Sequence, residues 1–123
     1  MHAVLRSLDS PALDPDTLDS YVPPIADDFG VLVSTLIGHD DCEGEEEFYV
    51  TVCSPTWLAR ATMAENAKGY EFLRHRLVVD RWDPQLFRRA VSDPCSHASG
   101  SDWSEVATKL SRYLHWEFED YTP

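Results

Sequence analysis

The chain has 123 residues, room for one domain around one hydrophobic core. Its 43% hydrophobic content, with 11% aromatics, is not that of a disordered segment despite a formal net charge of −12. That charge argues against nucleic-acid binding, which needs a basic footprint, and no apolar run approaches a membrane span.

In chain order, Ala3-Val-Leu-Arg-Ser-Leu8 alternates as a first strand, and Asp9-Ser-Pro11 stops it. Residues 9–28, with Pro11, Pro15, Pro23 and Pro24 among six aspartates, read as a loop with one short helical turn at 16–21. Phe29–Gly38 carries apolar residues on both faces, the mark of a central strand. Phe48–Cys53 is its partner in a long hairpin turning near Gly44. Ser54-Pro55 reads as an N-cap and first helical residue, with Trp57, Leu58 and Ala61 facing inward and the helix ending near Lys68-Gly69. Phe72–Trp82 is read as a strand. Asp83-Pro84 repeats the cap device for a second helix, with Leu86, Phe87, Ala90 and Val91 buried, ended by Asp93-Pro94. Asp102 and Glu105 form a capping-box pattern for a third helix with the stripe Trp103, Val106, Ala107, Leu110 and Leu114. The order predicts an α+β fold: an antiparallel sheet of about four strands, with about three helices packed mainly on one face.

Charge is lopsided along the chain. Twelve of the carboxylates and a lone base, Arg6, fall in residues 1–57. Six acids (Asp40, Asp41, Glu43, Glu45, Glu46 and Glu47) crowd eight positions of the hairpin. Such a run is either a solvated turn or a patch that faces a partner. Its spacing does not match a calcium loop: counted from Asp40, Gly44 falls at position five instead of six, and Tyr49 sits near where the last ligand belongs. The tail from Leu114 to Tyr121 sets Trp116 and Phe118 on one side by alternation, with His115, Glu117 and Glu119 on the other. Core packing of the two aromatics is expected, and it would position Glu117, Glu119, Asp120 and Tyr121 on a surface.

Catalytic signals are weak. His2, His39, His75, His97 and His115 are scattered, and Ser99-Gly-Ser101 lacks the nucleophile-elbow pattern. Cys42, Cys53 and Cys95 are odd in number and irregularly spaced, so they form neither a disulfide framework nor a zinc motif. They read as buried thiols in a reducing cytoplasm. No cleaved export signal is evident in Met1–Ser10. Arg74, Arg76, Arg81, Arg88 and Arg89 would pair with the acidic half and blunt its field.

Several short runs carry a resemblance: Tyr21-Val-Pro23, Asp28-Phe-Gly30, Ile37-Gly38, Gly44 with Glu45–Phe48, Val52-Cys-Ser-Pro-Thr-Trp-Leu58 and Arg74-His-Arg-Leu-Val-Val79. Trp103-Ser-Glu-Val-Ala107, Leu110-Ser-Arg112 and Trp116-Glu-Phe-Glu-Asp-Tyr121 extend it over nearly the whole chain. Together they resemble the immunity protein 8 family of bacterial polymorphic toxin systems. The sequence departs from that pattern at His39, where the family often carries a proline. The resemblance implies a single α+β domain over residues 1–123, cytoplasmic in the producer, that binds and neutralises a cognate toxin domain without catalysis. The expected partner is a basic toxin domain, such as a nuclease. Its contacts would be Asp40, Asp41, Glu43, Glu45, Glu46, Glu47, Glu117, Glu119 and Asp120, with Tyr121 as an aromatic anchor. No cofactor, metal, nucleic acid or membrane is expected. The alternatives are an acidic adaptor subunit and a small metal-dependent hydrolase using residues 39–47.

Overall fold

Three strand-forming segments build most of the sheet, and in the second and third of them buried residues recur every second position. In the computed structural model, which describes residues 1–41, 43–64 and 67–119, β1 (Ala3–Asp9), β2 (Gly30–His39) and β3 (Glu45–Cys53) lie side by side and antiparallel. Val33, Thr35 and Ile37 of β2 and Phe48, Val50 and Val52 of β3 are buried on one face. Thr35 keeps its place among them because its hydroxyl donates to the Phe48 carbonyl at 3.0 Å. The alternate residues, Leu32, Ser34 and Leu36, face the other way, and Leu32 is 52% exposed. β2 is thus central in the sheet, but only one of its faces is covered.

Helices cover the inner face. α2 (Pro84–His97) lies against β1, and α3 (Trp103–Leu110) adds Val106, Ala107 and Leu110 to the core. The inferred caps are present: the Asp83 carboxylate accepts from the Gln85 and Leu86 backbone N–H groups, and Ser54 accepts from Trp57 N–H. Asp102 accepts from Glu105 N–H at 2.8 Å, whereas Glu105 reaches back to Ser101 rather than to Asp102. α1 (Pro55–Thr62) sets its Trp57 over Gly30, where any Cβ would overlap the indole ring. The loop after β1 holds a 3₁₀ turn at Pro11–Leu13 and, within the stretch 16–21 read as a helical turn, one such turn closed by a Tyr21 N–H to Thr17 carbonyl bond. Leu18 is buried there, and Tyr21 packs edge-on against Trp82. No helix among the described residues is long and apolar enough to cross a membrane.

Four expectations are corrected. The strand over Phe72–Trp82 shrinks to β4 (Arg76–Val78), which pairs parallel with Thr51–Cys53. The free edge of β3 is shared, because β5 (His115–Trp116) occupies it at Phe48 and Tyr49. Phe72 is consequently left outside, 85% exposed. α1 stops at Thr62, short of Lys68, because Met63 and Ala64 are exposed and bring nothing to the core. α2 continues through Pro94, which forfeits a single backbone bond while the burial of Val91 and Cys95 around it holds the last turn. Finally, the tail does not stay extended: Glu119 N–H bonds the Trp116 carbonyl, so Phe118 leaves the alternation and is 42% exposed. Trp116 alone meets the core, stacked on Phe48 with ring centroids 6.3 Å apart.

Candidate interaction surface

The acidic run falls in a hairpin whose tip and base treat their carboxylates differently. Gly44, at φ 112°, takes a backbone conformation closed to most side chains, so the turn sits there. At the tip, the Asp40 carboxylate accepts from the His2 backbone N–H at 2.9 Å, a bond that lowers its pKa below the usual 3.8. Asp41 lies 3.8 Å from the N-terminal ammonium and remains exposed. Glu43 and Glu45 are exposed as well.

The base is different. Glu46 shares the inner face with Phe48, and its two oxygens accept one indole N–H each, from Trp103 at 2.7 Å and from Trp116 at 2.5 Å. One carboxylate thereby ties α3 and β5 to β3. Glu47, on the open face, accepts from the Ser34 hydroxyl at 2.5 Å. Its bond to the Tyr49 hydroxyl pushes that phenol's pKa up. Glu117 lies beside it, with Oε1 accepting from Glu47 N–H at 3.2 Å. Glu119 is drawn in among Arg74, His75 and His115, and its side chain is 13% exposed. Asp40, Asp41, Glu43 and Glu45 are exposed on the hairpin and Glu117 is exposed beside it, Glu47 is half-buried against Ser34 and Tyr49, and Glu46 and Glu119 hold neighbouring elements. Asp120 and Tyr121 lie outside the described residues.

Arginines divide between the two halves of the chain. Arg60 meets Asp28 and Arg88 forks Asp19, whereas Arg74, Arg76 and Arg81 pair with Glu119, Glu71 and Asp80. The Arg88 fork holds Asp19 below its ordinary pKa. Among the described residues, the two thiols are not activated. Burial raises the pKa of Cys53, and that of Cys95 to about 11. Cys42 is outside the described residues. His39 lies against the Trp103 ring, with ring centroids 5.5 Å apart.

Alternation alone does not show the uncovered sheet face. There a groove of about 470 Å³ runs between Leu32, Tyr49, Thr51, Arg74, Arg76 and His115. Its basic end comes from segments remote in sequence, so no local pattern announces it. Leu32 and Leu36 on a strand with apolar residues on both faces were the available signal.

No curated protein and no solved structure matches the chain. Its sequence does match the family description "Immunity protein 8" over residues 3–121, nearly its whole length. The hairpin acids, the Ser54-Pro55 cap and the terminal Trp116 strand are thus features of a member of the immunity protein 8 family, a family of immunity proteins of toxin systems.

Proposed function

We propose that the chain neutralises a cognate toxin domain by binding it, without catalysis, through the exposed acids of the β2–β3 hairpin. Family membership supports the toxin as partner. The observation that carries the surface is the row Asp40, Asp41, Glu43, Glu45 and half-buried Glu47, with Glu117 beside it, on a hairpin whose strands pair from Gly30–Cys53 to Gly38–Glu45. A paired hairpin presents charge at little ordering cost, which suits capture of a basic surface. On this reading the partner is a basic domain, for example a nuclease, and the carboxylates stand where substrate phosphates would lie. The site of action is the producer's cytoplasm. Asp120 and Tyr121 are proposed as further contacts of the toxin. Glu46 and Glu119 act behind it, as supports rather than contacts.

An interface of ordinary size buries about 1,600 Å² in total, more than the hairpin tip alone offers. The adjoining open face, with Leu32 and Tyr49, supplies apolar area next to the acids. Co-expression with a cognate toxin domain tests the reading. Restored growth and a copurifying complex are expected. A complex without protection would favour an adaptor subunit, and the absence of any complex would refute the proposal.

A further inference from the structure

Two histidines forty positions apart meet a carboxylate at the lip of the open-face groove. One donor atom from each of His75, His115 and Glu119 lies within 4.8 Å of the others. His115 Nδ1 stands 3.1 Å from Glu119 Oε2, and His75 Nε2 stands 3.9 Å from the same oxygen. Donors about 2.0–2.2 Å from a tetrahedral metal ion sit about 3.3–3.6 Å apart from one another. The two observed separations straddle that value, so the side chains need shift little to close on an ion.

We propose that His75, His115 and Glu119 form a binding site for a zinc-class divalent transition-metal ion. Two imidazoles and one carboxylate suit zinc, cobalt or nickel, and not magnesium or calcium, which require oxygen donors. Three protein ligands leave a fourth corner, open toward the groove.

One supporting group fits that assignment: Arg74 pairs with Glu119 Oε1, leaving Oε2 as the ligand atom, and ligating carboxylates are ordinarily held by such outer partners. The Ser111 carbonyl, which accepts from His75 Nε2 at 2.9 Å, is the partner an ion must displace from that nitrogen. His75 itself has φ 61°, a left-handed conformation that non-glycine residues seldom adopt and that turns the chain just before β4. The three ligands come from three segments: the residue preceding β4, β5, and the turn after β5. An ion there would pin the end of the chain to the loop before β4.

The site is independent of any toxin, so its test needs no partner. Untagged full-length protein is stripped with a chelator and titrated with cobalt(II), followed by zinc. A visible ligand-field band of four-coordinate cobalt is expected, displaced by zinc. Saturating zinc should raise the thermal midpoint by about 5–10 °C, and magnesium should not. His115→Ala should abolish the band. His75→Asn should do the same while keeping a residue that tolerates the left-handed backbone. Arg74→Ala removes only an outer partner and should retain the band. Absence of both the band and the zinc shift would overturn the proposal. So would a band that survives in the His75→Asn/His115→Ala double variant, since the metal would then sit elsewhere.

Discussion

Glu45 and Glu46 are chemically identical neighbours, yet one faces water at the hairpin tip and the other accepts two indole N–H groups at its base. The difference arises from β-strand alternation, which sends one side chain to each face of the sheet. On the outer face a carboxylate keeps its hydration and its field reaches a partner. On the inner face it is a structural acceptor, and its loss strands two donors. A run of acids is therefore not one feature. The tip is charge available for binding, and the base is polar glue between α3, β5 and β3.

The largest test of that contrast is stability. Glu46→Ala should cost about 3 kcal/mol in urea unfolding, since both indole N–H groups lose a charged acceptor. Glu45→Ala should stay within about 0.5 kcal/mol of the parent. Equal effects would erase the distinction. Glu46→Gln, which keeps one carbonyl acceptor, should recover part of the loss.

A smaller effect is expected where Glu47 joins β2 to β3. Ser34→Ala removes its hydroxyl partner and should cost about 1 kcal/mol by the same measurement. No change would mean that water replaces the hydroxyl freely.

Acid pH sharpens the comparison further. Asp19 and Asp40 have folded pKa values below their ordinary 3.8, the first through Arg88 and the second through the His2 N–H. A depressed carboxylate binds fewer protons folded than unfolded. Its contribution is therefore complete above 3.8 and disappears as pH falls through the lower folded value. Thermal midpoints should drop below about pH 4, and Asp40→Asn should lessen that drop slightly. A drop that is the same in the variant would remove Asp40 from the account.

Much of this molecule was legible in its sequence, and the failures share a cause. β2 and β3 follow the two-residue rhythm because one face of each is buried against helices, whereas a register shift between Leu5 and Ser7 breaks it in β1, whose buried residues are Ala3 and Leu8. Ser54 and Asp83 announce their helices because a cap is a local bond. The length of β4 was not readable, since it depends on how much of β3's edge β5 leaves free. The continuation of α2 past Pro94 rests on Val91 and Cys95 being buried, a tertiary fact. The hairpin acids were visible as a group. Their division was not, because Trp103 and Trp116 reach Glu46 from 57 and 70 positions away. The meeting of His75, His115 and Glu119 was hidden for the same reason.

The smallest expected change in stability accompanies the decisive change in binding. Asp41→Asn, Glu43→Gln and Glu45→Gln together neutralise the tip while leaving the Glu46 clamp intact. Stopped-flow association with the cognate toxin domain, measured across ionic strength, compares this triple variant with the parent. The account predicts roughly tenfold slower association at low salt and a flatter salt dependence, with an unchanged thermal midpoint. Identical rates and identical salt dependence would show that the tip acids do not capture the partner.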